Sequence, residues 1–169
     1  MAIIKKLKKE RGALIIEILI VAAIIVIALV SLLNAVAFSL KMSALTKQND
    51  QAQKLAEETL EVVRSFRDGT DWGIDGLGTL TLNISYHPEK TIGNPPKWNL
   101  VSGEEDIPGA IYKRKVVFSR ISRDPTSKNI ESVYNPDPAH ADPNTRKITA
   151  TVSWQGKTVE VSTLLTNWR

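Results

Sequence analysis

The first third of the chain is dominated by one long apolar run. Glu17 is the only charged residue between positions 13 and 40, and residues 13–33 include fifteen Leu, Ile or Val. Each of these favours insertion into a bilayer by roughly 0.3–0.6 kcal/mol. Twenty-one helical residues span about 31 Å, close to the hydrocarbon thickness of about 30 Å. The pattern predicts a transmembrane helix over residues 13–40.

Helix-forming residues continue beyond the apolar run as far as Arg67. Apolar residues recur there at steps of three and four, which is typical of an amphipathic helix. The stripe consists of Leu45, Ala52, Leu55, Ala56, Leu60, Val63 and Phe66. Asp68-Gly69 is a stop signal, so residues 41–67 are predicted to continue the same helix. A helix cannot bury such a stripe alone, so a sheet is expected to cover it.

Alternating patterns in the last hundred residues predict that sheet. Residues 79–86 and 147–154 alternate apolar and polar side chains, and Ile111 to Ile121 is rich in β-formers. Gln155-Gly156 separates residues 147–154 from a last alternating run over residues 158–165, which predicts a hairpin. The expected fold is α+β, with an extracytoplasmic antiparallel head over residues 68–169 packed on the long helix.

Two proline-rich stretches, residues 87–109 and 122–145, are predicted as loops. Runs of this length without regular structure are often functional or mobile. They are open to two interpretations: outward-facing contacts for adhesion or for a filament tip, or variable surface with no particular role.

The charge is concentrated at the start of the chain. The sequence has 22 Lys+Arg and 18 Asp+Glu, for a net charge of +4, and residues 1–12 alone account for +4. Basic residues just before an apolar span keep the N-terminus in the cytoplasm and send the rest of the chain outward. The absence of cysteine excludes a disulfide framework, a lipoprotein anchor and a thiol nucleophile.

The sequence of residues 8–20, Lys-Lys-Glu-Arg-Gly-Ala-Leu-Ile-Ile-Glu-Ile-Leu-Ile, resembles the type IV prepilin signature. That signature is a basic leader ending in Gly, then a hydrophobic helix with Glu as its fifth mature residue. The family includes major and minor pilins and the pseudopilins of type II secretion. More weakly, residues 148–168 are similar to the last strands of minor pilins of the PilV kind.

The resemblance implies a processing and assembly route. A prepilin peptidase would remove residues 1–12 by cutting between Gly12 and Ala13, and would methylate the new amino group of Ala13. The mature subunit would leave the lipid of the inner membrane and pack helix on helix with other pilin subunits. Glu17 would pair with the amine of a neighbouring subunit and set the axial register. The type IV pilin fold is implied, as is a location in the inner membrane and then in a surface or periplasmic filament.

Other interpretations of the N-terminal segment remain open. Ala35-Val36-Ala37 could be a signal-peptidase site, although the apolar core of a signal peptide is normally only about 7–15 residues. The segment could also be an uncleaved signal anchor for an outer binding module that does not polymerise. In that case Glu17 would be a charge that snorkels to the membrane interface.

No enzymatic activity, cofactor or small-molecule substrate is expected from the sequence. His87 and His140 are interpreted as surface residues. Two acidic clusters offer oxygen ligands for calcium without matching the twelve-residue calcium loop. Their members are Asp68, Asp71 and Asp75 in one cluster and Asn135, Asp137, Asp142 and Asn144 in the other.

The rest of the chain has two further groups of charged residues. Glu57, Glu58 and Glu61 are interpreted as members of surface ion pairs with Lys54 and Arg64. The one basic stretch could contact nucleic acid, but alternation along a strand would divide it between two faces. That stretch consists of Lys113, Arg114, Lys115, Arg120, Arg123 and Lys128. Nucleic acid is therefore not expected as a partner.

Overall fold

A computed structural model describes residues 2–93 and 95–168, with side chains from Ile15 onward. The elements in chain order are α1 (Ala2–Gly69), β1 (Ser85–Lys90), β2 (Trp98–Ser102), β3 (Glu105–Asp106), β4 (Lys113–Ser122), a 3-10 turn (Pro138–His140), β5 (Ala141–Trp154) and β6 (Lys157–Thr166). The chain divides into two compact units, one ending at Lys47 and one beginning at Gln48.

The long helix ends where the sequence predicts. After Gly69, the hydroxyl of Thr70 donates to the carbonyl of Phe66 at 2.7 Å and so satisfies one of the last helical acceptors. At the other end the helix begins at Ala2 rather than near Ala13. Proline is absent from the whole helical range, which leaves its backbone hydrogen-bond ladder free of the usual cause of a kink.

The six strands form one antiparallel sheet. Along the sheet the order is β2-β1-β4-β5-β6, and the two-residue strand β3 also pairs with β4. Strands β4 and β5 pair from Lys113 to Ser122, with a register shift between Arg120 and Ser122. The predicted α+β layout, a long N-terminal helix followed by an antiparallel sheet, is confirmed.

The predicted terminal hairpin is also confirmed. Gln155 and Gly156 connect β5 to β6 with φ values of 45° and 75°. Two positive φ values in a two-residue loop define a type I′ turn, whose twist matches that of the flanking strands. Strand β5 is longer than predicted, because it begins at Ala141 inside the stretch expected to be a loop.

The strand predicted over residues 79–86 was wrong. Residues 70–84 form a series of turns, and the strand begins only at Ser85. Asn83 has a φ of 61°, which breaks any extended run. Gly78 allows the chain to fold back tightly, since a Cβ there would lie 2.4 Å from the carbonyl oxygen of Trp72. Leu80 and Leu82 are half-buried because they pack against the core from turns, which imitates the alternation of a strand.

The stretch 87–109 is likewise not a loop throughout. It holds most of β1 and all of β2 and β3. Pro88 lies within β1 at a position where that strand pairs with β2 alone, because β1 pairs with β4 only at Ser85 and Tyr86. A proline is tolerated on a strand that is paired on one side.

The core lies between the second half of α1 and one face of the sheet. The buried residues of the predicted helical stripe are Ala52, Ala56, Leu60, Val63 and Phe66. Opposite them, β4 and β5 contribute Val116, Phe118, Ile148, Ala150, Val152 and Trp154. The sheet therefore covers the helix, as the stripe required.

Aromatic residues join the core to the helix. The rings of Tyr86 and Phe118 meet edge to face with centroids 5.5 Å apart, and those of Tyr112 and Trp154 are 5.7 Å apart. The hydroxyl of Tyr112 donates to the carbonyl of Gln48 at 3.1 Å and lies 3.0 Å from the side-chain oxygen of Gln51. These bonds fix the start of strand β4 to the helix within the second unit.

Candidate functional site

The apolar half of α1 is the largest exposed hydrophobic surface in the described residues. The large apolar side chains from Ile15 to Leu40 are 50–68% exposed. This helix is long and apolar enough to be a membrane span or a signal anchor. An exposed apolar surface of this size on a protein is typical of a membrane or a partner interface.

Glu17 lies on this apolar helix, exposed between Ile16 and Ile18. Among the described side chains nothing forms an ion pair or a hydrogen bond with it. A carboxylate in hydrocarbon needs a cationic partner or a proton. Any cationic partner of Glu17 would therefore lie outside the described side chains of this chain. Gly12 and Ala13, the predicted cleavage and methylation residues, themselves lie outside the residues whose side chains are described.

The other polar side chains in this stretch differ in whether their hydrogen bonds are met. Ser31 donates its hydroxyl to the carbonyl of Ile27 at 2.9 Å, so its polar group is satisfied within the helix. Asn34 is exposed and makes no hydrogen bond with the described residues. Polar side chains of this type bond across helices in membranes.

Of the ion pairs predicted within the helix, the described residues show the one between Glu61 and Arg64, and none that involves Lys54. Glu57 instead accepts from the amide of Gln53 at 2.9 Å. Glu58 lies 3.6 Å from the guanidinium of Arg114, a residue of β4. The helix is thus tied by charge to the sheet that covers it.

Four of the six cations of the predicted basic stretch form ion pairs with acids among the described residues. Three of the partners come from the segment just before β4, and the pairs are Lys113 with Asp106, Arg114 with Glu105, and Lys115 with Glu104. We refer to these three pairs as the β4 charge ladder. Arg123 pairs with Asp142 at 2.9 Å. These four paired cations offer little for phosphate contacts, whereas Arg120 and Lys128 form no ion pair with the described residues.

The two histidines are half-buried rather than fully exposed. His87 Nδ1 lies 3.3 Å from the carbonyl oxygen of Gly103, and His140 Nδ1 lies 2.9 Å from a carboxylate oxygen of Glu131. Each ring therefore links two segments of the head.

Several members of the two acidic clusters accept hydrogen bonds from the backbone, while Asp68 and Asp142 pair with arginines. In the first cluster, Asp71 accepts from the amide of Gly73 and Asp75 accepts from the amide of Asp71. In the second, Asp137 caps the 3-10 turn by accepting from Ala139. Across the described side chains, no group of three or more His, Asp or Glu residues is arranged to hold a metal ion.

Two carboxyl groups in the stretch 122–145 have shifted pKa values. Hydrogen bonds from the amides of Ser127 and Thr126 lower the pKa of Asp124. Burial tends to raise the pKa of Asp142, but hydrogen bonds from Arg123 and Thr145 outweigh it and hold the value below 3.8. The stretch is therefore organised by local hydrogen bonds even where it lacks regular structure.

One buried charge was missed by sequence reasoning. Arg146 is only 8% exposed, and its guanidinium carbon lies 5.6 Å from the centre of the Trp72 ring. The signal for it was present: alternation that turns Ile148 and Ala150 inward also turns Arg146 inward, two residues earlier.

Comparison with known proteins adds no relative. No family model matches the chain, and no curated protein or solved structure matches it.

Proposed function

We propose that this chain is a type IV pilin-like subunit, a minor pilin or a minor pseudopilin of type II secretion, with a structural rather than a catalytic role. The observation that carries the proposal is an uninterrupted, exposed apolar helix that bears one acid, Glu17, with no partner among the described side chains, and that continues into an α+β head. The prepilin-like sequence at residues 8–20 supports it.

The proposed mechanism rests on the charge of Glu17. Cleavage after Gly12 creates a cationic amine on Ala13, four residues before Glu17 in the helix. In a bundle of such helices the amine of one subunit pairs with Glu17 of a neighbour, so that both charges leave the lipid environment neutralised. Because only one axial offset brings the two charges together, the pair sets the register of the helices.

The same proposal covers location and partners. Before assembly the helix lies in the inner membrane, with the basic leader in the cytoplasm and the head outside. Its partners are then the prepilin peptidase and other pilin or pseudopilin subunits. Asn34, exposed and without a hydrogen bond among the described residues, supports helix–helix contact as the mode of packing.

The first test is the mass of the native N-terminus. Protein isolated from its own cells should begin at Ala13, with a methyl group on the amine. A Gly12→Val variant should keep its leader. A wild-type chain that still begins at Met1 would support a signal-anchored module instead, and a start at Phe38 would indicate signal-peptidase cleavage; both overturn the proposal.

The second test separates membrane insertion from assembly. A Glu17→Ala variant should fractionate with membranes as the wild type does, while its amount in sheared filaments falls by at least about tenfold, because a buried amine is left unpaired. Ser31→Ala is the matched control, since its hydroxyl already bonds within its own helix. Equal incorporation of the Glu17→Ala and wild-type chains would rule out the register role.

A further inference from the structure

Arg146 is a buried cation without a carboxylate partner in the described part of the chain. One of its terminal nitrogens donates to the carbonyls of Pro143 at 3.0 Å and Thr145 at 3.2 Å. Its Nε is buried and has no hydrogen-bond partner. A buried charge is normally paired, so this arrangement leaves the guanidinium incompletely satisfied.

A second arginine lies directly opposite. Arg120 on β4 is the register partner of Arg146 on β5. Arg120 is exposed and forms no ion pair with the described residues. Like charges opposite each other on neighbouring strands are destabilising. Burial and then the charge of Arg120 lower the pKa of Arg146.

The nearby acid Asp142 compensates this pair only in part, because its charge raises the pKa of Arg146 while burial and Arg120 together lower it. Asp142 has one carboxylate oxygen on Nε of Arg123 at 2.9 Å and the other on the amide of Asn144 at 3.0 Å. The Asp142–Arg123 pair is neutral as a unit, and the two facing arginines keep a positive charge.

Both arginines line one cavity. It has a volume of about 310 Å³ and is bounded by β4, β5 and the stretch before the 3-10 turn. Ile121, Tyr134 and Pro136 form part of its wall. The cavity thus combines two cations and one carboxylate, that of Asp142 already bonded to Arg123, with apolar and aromatic surface, which strengthens electrostatic attraction by limiting contact with water.

We propose that this cavity is a binding site for a small oxyanion, a phosphate or a carboxylate group, held between Arg120 and Arg146. Planar guanidinium groups bind both kinds of oxyanion through paired, charge-assisted hydrogen bonds. A bound anion would offset the repulsion between the two arginines. The site is separate from the helix proposed for assembly and does not depend on that function.

The test uses the full chain in detergent micelles at low, constant ionic strength. Inorganic phosphate is titrated against sodium chloride, and the melting temperature of the head is followed by tryptophan fluorescence. A saturable rise is expected with phosphate, with acetate in a parallel titration, or with both; the pattern identifies the class of oxyanion. No saturable rise with either anion would overturn the proposal.

Variants of the two arginines test whether the anion binds between them. Arg120→Gln should weaken anion binding by at least about tenfold. Without anion it should melt at a higher temperature than the wild type, because the repulsion is gone. Lys157→Gln removes the same charge from the exposed start of β6 and should change neither result. Arg146→Met should also abolish the rise where it folds.

If phosphate or acetate stabilises Arg120→Gln as strongly as it stabilises the wild type, the anion binds elsewhere. Arg146 would then be a structural residue held by Trp72 and backbone carbonyls alone. Because Arg120 is exposed, this variant is expected to fold, which keeps the test decisive.

Discussion

Phe118 is the largest side chain that is fully buried in the head, and its ring packs edge to face on Tyr86. Replacing it with alanine removes that contact and leaves a cavity. We expect Phe118→Ala to lower the free energy of unfolding by about 3–5 kcal/mol. Urea denaturation in micelles, followed by the fluorescence of buried Trp154, measures this loss.

Val133→Ala is the control for Phe118→Ala, because that side chain is 78% exposed. It should change the free energy of unfolding by no more than about 0.5 kcal/mol. A loss below about 1 kcal/mol for Phe118→Ala would show that the helix and sheet do not pack around this ring.

The ion pair between Asp142 and Arg123 should make stability depend on pH. The pKa of Asp142 is lower in the folded head than its ordinary value of 3.8, so the unfolded chain binds the proton more readily. The contribution is present above pH 3.8 and is lost as the pH falls through the lower, folded value. Asp142→Asn should therefore be less stable than wild type near pH 6, and the difference should shrink towards pH 2.5.

Melting temperatures across that pH range check the prediction for Asp142. Asp106→Asn serves as control because its pair with Lys113 is exposed, and such pairs contribute little. A difference between Asp142→Asn and wild type that stays constant with pH would contradict the assignment.

A single residue's role could be predicted where its signal is local in the sequence, and could not where it depends on a partner brought close by the fold. Glu17 was identifiable because a lone acid in an apolar run is conspicuous in sequence. The pair of Glu58 with Arg114 was not, because its members are 56 positions apart and meet only when β4 packs on the helix.

Among the elements, the turn between β5 and β6 gives the sharpest prediction. Gly156 has a φ of 75°, and a Cβ added there would meet nothing within 4 Å. Gly156→Ala should therefore cost only the backbone strain of the left-handed region, about 1–2 kcal/mol. The loss should appear in the urea midpoint of the head.

Gly69→Ala is a matched control, since a Cβ there also meets nothing and its φ is not in the left-handed range. It should not lower the stability of the head. Equal effects of the two alanine substitutions would show that the hairpin does not depend on its turn geometry.

Elements with a strong period were predictable and short ones were not. The helix follows from its apolar spacing and ends at the stop signal Asp68-Gly69, β4 follows from its β-forming residues, and the β5–β6 hairpin follows from alternation on both sides of Gln155-Gly156. Strand β3 has two residues and exists because Glu105 and Asp106 pair with Arg114 and Lys113 of β4. No local period can reveal a strand of that length. The alternation at residues 79–86 predicted a strand wrongly, because turns place Leu80 and Leu82 against the core with the same spacing.

At the level of the whole molecule, the second unit, which consists of the head and the helical segment from Gln48, should fold without the apolar unit. All of the buried core, from Ala52 to Leu165, lies in the unit that begins at Gln48. A fragment of residues 48–169 should therefore unfold cooperatively, with a urea midpoint close to that of the full chain in micelles. A fragment without a cooperative transition would show that the first unit is needed for folding.

For the candidate sites, sequence provided the apolar helix and Glu17 but not the arginine cavity. The first depends on composition along one helix. The second needs the register of β4 against β5, which brings Arg120 and Arg146 together, and the path of the chain around Pro136 and Pro138.

The β4 charge ladder is part of a nearly even balance of charge in the second unit, which affects how copies of it behave at high concentration. From position 48 to 169 the chain holds 15 Lys+Arg and 16 Asp+Glu, a net charge of −1. Mutual repulsion between neighbouring copies is then weak at neutral pH, and colloidal solubility is near its minimum. Isolated heads should precipitate most readily close to pH 7, and the same near-neutrality would let them be stacked at high density without an electrostatic penalty.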